Sequence, residues 1–437
     1  MKKLLLAFVL IAFSAKAQEP DYKRLSETIL EYFQRKEFQK VFDQIDKAVF
    51  TKLDTARLAG IWNGLLKQNG VYKSKVKDEA SIQGAFHVQN QLLQFENRKM
   101  NFRLIWDTKS KIKGLYFLPF DTRPEYKVPS YYNAAAATER KVLMTTDSYR
   151  IPGTLTLPNL PGKHPLVILI HGSGPNDRDE SLGPLKIFRD LASGLAVKGI
   201  AVLRFEKRTR LFKSRMEHEA STYTVRQEVI EDVLKALQIA KEDTTIDTNN
   251  IFLCGHSFGG MMLPRIAKEY KLIKGLIYLA PNGRKLEDVF VAQAEYIGAE
   301  IKDPIKKNQM IDSVKVQRDR IKLLTPAAKN DSTKLLQYPS SYWYDLKNYD
   351  PIATAKTLNL PMLFIYGLRD YQTTMADAQL WQNAFKENKM VDFKMYPKLN
   401  HFLIEGAGKS TPAEYEKQGN VDFDLIKDIA TWISSKK

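Results

Sequence analysis

Between Asp21 and about Leu118 the apolar positions change rhythm once. Leu25, Ile29, Leu30 and Phe33, then Phe38, Val41, Phe42 and Ile45, recur at the three-and-four spacing of amphipathic helices. A third such stretch, Thr55 to Gln68, carries Leu58, Ile61, Trp62 and Leu65. After Asn69-Gly70 the period shortens. His87–Gln89, Leu92–Phe95, Phe102–Trp106 and Ile112–Phe117 read as strands joined by turns at Asn97, Asp107 and Lys109–Ser110. Helices followed by a curved antiparallel sheet make a small α+β domain over residues 21–118. Pro119, Pro124 and Pro129 then deny regular structure, so residues 119–137 read as an extended linker.

From Thr138 onward strands alternate with helices. Val167–Ile170, Ala201–Leu203, Ile251–Cys254, Leu276–Leu279 and Met362–Tyr366 are short and uniformly apolar, as a parallel sheet covered on both faces requires. Helical patterns at Phe188–Val197 and Val225–Ala240 fall between them. Amphipathic strands around Val142–Met144 and Ile151–Leu157 open this α/β domain, residues 138–437, as an antiparallel edge. Residues 284–349 break the alternation with many Lys, Asp and Gln, then cluster Tyr338, Tyr342, Trp343 and Tyr344. A helical cap insertion over the ligand end of the sheet explains both features. Ordinary surface helices are the plainer alternative.

A chain of 437 residues with 44% hydrophobic and 27% charged residues is globular and long enough for two unequal domains. Lys2 and Lys3, the apolar run Leu4–Phe13 and Ala15-Lys16-Ala17 read as a signal peptide over residues 1–17, cleaved after Ala17. An uncleaved anchor is the alternative reading. The expected location is the periplasm or the extracellular space, without stable membrane insertion. Cys254 is the only cysteine and sits in an apolar run, so no internal disulfide forms and a buried inert thiol is expected. The net charge of +17 falls to +14 without Lys2, Lys3 and Lys16. The lysines are scattered and no nucleic-acid module accompanies them, which argues against nucleic acid as a partner.

The chemistry-bearing pattern is Gly255-His256-Ser257-Phe258-Gly259, between an apolar strand and an apolar helical stretch. A serine on so sharp a strand-to-helix turn needs small residues two positions away on each side, and the two glycines supply them. The turn exposes the Ser257 hydroxyl at the carboxyl end of the sheet, at the positive end of a helix. An isolated serine hydroxyl is a poor nucleophile and needs a base. Of six histidines, His401 follows the strand Asp392–Tyr396 in a short loop. His87, His164 and His218 lie in unsuitable settings, His256 supports the turn, and His171 orients the loop after its strand. Asp370 follows the strand Met362–Tyr366, 113 residues after Ser257 and 31 before His401, the Ser, Asp, His order of serine hydrolases with a parallel sheet. Its rival Asp377 falls on the next helix. Negative charge developing on a carbonyl oxygen needs preorganised donors. The backbone N–H of Phe258 is one; the loop His171-Gly172-Ser173-Gly174 offers the other, with Ser173 preferred and Gly172 second. Pro175–Asp179 shape that loop by internal charge pairing, with a substrate contact by Arg178 as the lesser alternative.

Residues 138–437 resemble bacterial α/β-hydrolases of the esterase and serine-aminopeptidase-like kind. The resemblance rests on His171–Asp179, Ala201–Arg208, Gly255–Gly260, Gly367–Tyr371 and Asn400-His401-Phe402. Residues 21–118 are similar to the nuclear-transport-factor-2-like domain that often precedes such enzymes. The resemblance implies an α/β-hydrolase fold and hydrolysis of carboxylic esters with small acyl groups. A serine peptidase, aminopeptidase or amidase uses the same triad and stays open, as do thioester or lactone hydrolysis and a binding protein on an inactive hydrolase fold. The expected partner is a small-molecule ester, a carbohydrate-linked one included, and self-association stays open. No metal or cofactor motif is present: H-E-x-x-H, cysteine pairs, a phosphate loop and a dinucleotide fingerprint are all missing.

Overall fold

The computed structural model describes residues 20–120, 123–146, 149–221 and 223–436, so the segment read as a signal peptide lies outside the described residues. The chain divides into two compact units, residues 1–122 and 123–437.

In the first unit three helices, α1 (Tyr22–Gln34), α2 (Phe38–Gln44) and α3 (Thr55–Asn69), precede four strands. Asp21 and Asp54 cap α1 and α3 by accepting from the N–H groups of Arg24 and Arg57 at 3.0 and 2.7 Å. The strands β1 (Tyr72–Gln83), β2 (Phe86–Phe95), β3 (Lys99–Trp106) and β4 (Ile112–Pro119) form an antiparallel meander in chain order. Phe33, Trp62, Phe95, Phe102 and Trp106 are fully buried between helices and sheet. The Trp106 indole donates to Ser26 Oγ at 2.8 Å, so its one polar atom is satisfied. His87 stacks on Tyr22 at 4.1 Å, a packing role.

Two details differ from the sequence pattern. His87–Gln89 and Leu92–Phe95 belong to one ten-residue strand, and β1 carries no apolar alternation that would announce it. Its solvent-facing positions hold Lys73, Ser74, Lys77 and Glu79, the charged dress of an edge strand.

The second unit is built on an eight-stranded sheet. Its strands are β5 (Ala137–Thr146), β6 (Tyr149–Pro158), β7 (His164–Ile170), β10 (Ala201–Phe205), β11 (Ile246–His256), β12 (Gly275–Leu279), β15 (Met362–Gly367) and β16 (Val391–Tyr396). The two-residue pairs β8 (Ser181–Leu182) with β9 (Leu185–Lys186), and β13 (Lys334–Leu335) with β14 (Tyr338–Pro339), lie apart from it. The order across the large sheet is β16-β15-β12-β11-β7-β10-β6-β5, parallel throughout except where β6 meets β10 and β5.

The uniformly apolar runs divide by the two-residue period of a strand. Leu166, Ile168 and Ile170 of β7 join one buried cluster while Val167 and Leu169 join the other. Leu276 and Tyr278 part from Ile277 and Leu279 in the same way, as do Phe364 and Tyr366 from Leu363 and Ile365. Each such side chain contributes about 1.5–3 kcal/mol on burial, which is why a sheet covered on both faces needs no polar alternation. Cys254 is among them, buried and free, with its thiol pushed up by burial.

Helices α4 (Ile187–Val197) and α14 (Phe423–Ser434) cover one face. On the other lie α7 (Glu231–Glu242), entered through a π-helical turn at Arg226–Ile230, and α8 (Phe258–Glu269). The short α5 (Arg208–Leu211) and α6 (Lys213–His218) follow β10. Residues 284–349 contain α9 (Leu286–Gly298), α10 (Pro304–Lys322) and α11 (Ser340–Lys347), so the interruption in the sequence is a mainly helical insertion. Tyr342 and Trp343 are completely buried, Tyr342 stacked on Tyr223 at 5.6 Å and Trp343 edge-on to Phe290 at 6.1 Å. Those two aromatics pack the insertion down. Helices α12 (Pro351–Lys356) and α13 (Met375–Phe385) complete the unit. Residues 123–136 carry no helix or strand, yet Tyr126 donates to Asp190 Oδ1 and Tyr131 to the Val421 carbonyl, each at 2.8 Å.

Candidate active site

The loops at the carboxyl ends of β7, β11, β15 and β16 carry the residues singled out above. Ser257 ends β11 and precedes α8 with φ +52° and ψ −118°, a conformation L side chains rarely adopt. Glycines make this turn fit. A Cβ on Gly255 would lie 2.5 Å from the backbone of Gly259, and one on Gly259 would run into the Ile170 carbonyl oxygen. Ser257 N–H is bound to the Leu279 carbonyl at 2.8 Å. The next N–H, that of Phe258, opens α8 and has no intrahelical acceptor.

Asp370 and His401 meet. His401 Nδ1 lies 2.7 Å from Asp370 Oδ2, and both side chains are almost completely buried. Asp370 Oδ1 accepts from the N–H groups of Gln372 and Thr373 at 2.7 and 3.0 Å, while Oδ2 also accepts from the Thr373 hydroxyl at 2.7 Å. A carboxylate held by so many donors is fixed as an acceptor, which leaves His401 Nδ1 to carry the proton and Nε2 free to take one. Asp377 is occupied elsewhere. It accepts from the N–H groups of Gly283, Arg284 and Thr374, each at 3.0 Å, and pairs with the Arg284 guanidinium. It therefore anchors α13 and the start of the insertion.

The loop after β7 is clamped at Gly172. Gly172 N–H donates to Glu180 Oε1 at 2.7 Å, so this amide, the second choice for an oxyanion donor, is taken. Gly172 O accepts from Lys207 Nζ at 2.8 Å and from Asn176 Nδ2 at 3.2 Å. The two edges of a trans peptide point in opposite directions, so pinning the Gly172 carbonyl on Lys207 turns the Ser173 N–H away from it. Gly174 N–H is bound to the Tyr338 hydroxyl at 3.1 Å. Ser173 thus offers the free amide of the three. A Cβ on Gly172 would lie 3.3 Å from Ser257 Cβ, which sets this loop directly against the nucleophile candidate.

The charges of Asp177–Asp179 do not pair among themselves as expected. Arg178 reaches Glu206 at 2.7 Å and the Thr154 hydroxyl at 2.8 Å, and Asp179 pairs with Arg204 and with Lys186 at 3.4 Å. The opposite charges lie on or beside β9 and β10, with the Thr154 hydroxyl on β6, and the loop is tied to the sheet through β6 and β10. Arg178 has Nε and Nη1 committed there.

Three polar residues around the site carried no role in the sequence reading. Thr373 braces Asp370. Glu180 is one position beyond the His171–Asp179 motif, and Lys207 lies inside Ala201–Arg208. Lys207 is buried and pairs with Glu228 Oε1 at 2.5 Å. For Glu180 and Lys207 the only sequence signal is a charged residue within or beside a family motif; Thr373 has none. His171 is buried between Phe188 and Phe205, and burial pushes its imidazole down to about 4, so it stays neutral.

A cavity of about 420 Å³ opens beside this loop. Gly174, Pro175, Met216, Tyr223, Glu228 and Tyr338 line it, so Tyr338 is the one member of the aromatic group that borders open space there. Among the described residues no cluster of His, Cys, Asp and Glu has metal-binding geometry, and no helix is long and apolar enough to cross a membrane.

Comparison with known proteins agrees with this architecture. Residues 166–406, more than half of the chain, match the family described as serine aminopeptidase, S33. Residues 26–115 match a family described as a protein of unknown function (DUF3887). Esterase EstD of Thermotoga maritima is 35% identical over 401 residues, covering 91% of each chain. Among solved structures, Est1E from Butyrivibrio proteoclasticus is 16% identical with a TM-score of 0.42, covering 68% of this chain and 98% of its own. An esterase of Pyrococcus furiosus is 15% identical with a TM-score of 0.44, covering 72% of this chain and 98% of its own. The chain belongs to the serine aminopeptidase S33 family and is a serine hydrolase whose α/β-hydrolase domain follows a smaller α+β domain.

Proposed function

We propose that this enzyme is a carboxylesterase acting on short-acyl esters, with Ser257 as nucleophile, His401 as base and Asp370 as its orienting carboxylate. The observation that carries the reading is the 2.7 Å contact of His401 Nδ1 with Asp370 Oδ2, beyond the ends of the adjacent strands β16 and β15, on the same sheet whose β11 presents Ser257. Overall similarity to Esterase EstD supports the ester over the amide.

His401 Nε2 takes the Ser257 proton as Oγ attacks the ester carbonyl carbon. The N–H groups of Phe258 and Ser173 receive the oxyanion of the tetrahedral intermediate. Collapse expels the alcohol with the proton from His401 and leaves an acyl group on Ser257. Water, deprotonated by the same imidazole, then releases the acid. Asp370, saturated by donors, stabilises the imidazolium formed in each half without becoming protonated.

The cavity beside Gly174 fits a compact group, aryl or small polar, against Tyr338. An aminopeptidase needs an uncompensated acid for the substrate amine. Both acids at this cavity already face a lysine, Glu228 at 2.5 Å from Lys207 and Glu217 at 3.3 Å from Lys334. That charge balance favours the ester. Turnover of aryl esters of graded acyl length beside aminoacyl anilides tests the assignment. Acetyl through butyryl esters should exceed decanoyl esters in kcat/KM, with anilides far slower. Faster cleavage of an anilide would move the enzyme to the peptidases, and a decanoyl preference would discard the short-acyl site.

The same reading makes the enzyme an exported one, on the basic-apolar-small pattern of residues 1–17 and the single cysteine. Sequencing the N-terminus of the mature protein should start at Gln18; a mature chain retaining Leu4–Phe13 would contradict cleavage. The first unit, three helices before a four-stranded antiparallel sheet, is proposed to be of the nuclear-transport-factor-2-like kind and to serve access or placement rather than chemistry.

A further inference from the structure

We propose that Glu180 and His256 form a buried ion pair that joins the oxyanion loop to the loop bearing His401, with His256 a resident imidazolium. Both are positioning residues. The inference rests on the esterase reading above and adds a second histidine–carboxylate pair beneath the first.

The protonation state follows from the partners. His256 is 2% exposed, and its Nε2 lies 2.9 Å from the backbone oxygen of His401. A carbonyl oxygen only accepts, so Nε2 carries a hydrogen. The other nitrogen, Nδ1, faces Glu180 Oε1 at 3.2 Å, an ion-pair contact whose alignment falls short of a hydrogen bond. That oxygen already accepts from Gly172 N–H at 2.7 Å, so it too stands as an acceptor. A neutral imidazole has one N–H and would turn a lone pair on the carboxylate. Only the imidazolium serves both neighbours. Burial pushes His256 down, but the facing carboxylate offsets it and holds the imidazole above the ordinary histidine range. Burial pushes Glu180 up, and the His256 charge more than reverses it, holding Glu180 below the usual carboxylate range.

The placement of Glu180 is costly for the backbone. Its φ of +48° lies in the left-handed region, which a long side chain adopts only where the surroundings hold it. What this geometry achieves is a bridge of three links: Gly172 N–H to Glu180, Glu180 to His256, His256 to the His401 carbonyl. His256, one of its two inner residues, is the chain neighbour of Ser257. Donor loop, nucleophile turn and base loop are thereby set by one pair of side chains.

The charged and titratable groups around His256 come from each neighbouring loop. Glu180 faces it from the oxyanion loop, with His171 acting on Glu180; His401, its ring 4.7 Å away, and Asp370 act from the loops after β16 and β15, and Lys207 lies beyond Gly172. His256 and Glu180 compensate each other's charge. The bridge holds while His256 is protonated and weakens as pH rises through its raised value, which gives the activity an alkaline limb.

The test uses the full-length enzyme, the variants Glu180→Gln, His256→Gln and their double, and p-nitrophenyl acetate. Glu180→Gln should lower kcat roughly 10- to 100-fold with KM within about threefold. Its alkaline limb should move down by about one pH unit or more, because the imidazolium has lost its counter-ion. The double variant should lose no more than Glu180→Gln alone, as members of one unit do. A kcat within threefold of the parent with an unmoved limb would overturn the proposal, and so would losses that multiply. Should the variants misfold, ¹⁵N-histidine spectra of the parent at pH 7.5 decide alone. His256 must show both nitrogens protonated, and a neutral tautomer rules the pair out. Full turnover by Ser257→Ala would instead sink the esterase site itself, whatever Glu180→Gln does.

Discussion

Lys207 donates to the backbone oxygen of Gly172 at 2.8 Å while facing Glu228 at 2.5 Å, so one buried ammonium aims a peptide plane and neutralises a buried acid. Two different consequences of removing it can be separated. Lys207→Met leaves the Gly172 carbonyl only its longer Asn176 contact and leaves Glu228 uncompensated, with a stability loss of about 3–5 kcal/mol from the stranded charge. Lys207→Met with Glu228→Gln removes both charges and should recover most of that stability. Its kcat should nonetheless stay about 10- to 100-fold below the parent, since the Ser173 amide has lost its aim. Denaturant unfolding beside ester turnover reads the two effects. A double variant with full kcat would mean that Lys207 does not orient the loop.

The two candidate acids should separate as cleanly. Asp370→Asn places an amide where His401 Nδ1 needs an acceptor, and kcat should fall about 10²–10⁴-fold with little change in the fold. Asp377→Asn weakens the anchor of α13 on Arg284 and should lower the melting temperature while kcat at 25 °C stays near the parent value. The reverse pattern would exchange the two roles.

Where the chain can be cut is set by two tyrosines. Tyr126 and Tyr131 reach Asp190 and the Val421 carbonyl, and Tyr131 stacks on Phe423 at 4.7 Å. A chain beginning at Arg123 keeps these contacts and should retain measurable turnover of a small ester. One beginning at Asn133 loses them, and should melt lower. A well-folded but inactive chain from Arg123 would show that the first unit builds part of the site.

Much of this was legible because the sheet writes itself as uniformly apolar runs, and the chemistry sits where those runs stop. Ser257, Asp370 and His401 can each be placed at a strand end from sequence, as can the loop at Gly172. β1 cannot, because an edge strand dressed in lysine and glutamate has neither an apolar face nor a strict period. Glu180, Lys207 and Glu228 cannot either. Each is an acid or base whose burial arises only once β7, β10 and the π-helical turn before α7 pack together. Nor does spacing tell Tyr338, at the edge of a cavity, from Tyr342 and Trp343 in the core.

The central claim is that Ser257 carries the acyl group, and the most direct measurement combines labelling with turnover. Intact-mass and peptide analysis after reaction with a fluorophosphonate should show one adduct, on Ser257, with activity lost in proportion. Ser257→Ala should take no label and hydrolyse p-nitrophenyl acetate at or near the uncatalysed rate, while its circular dichroism matches the parent. An adduct on another residue, or a folded Ser257→Ala enzyme with near-parental turnover, would contradict the account.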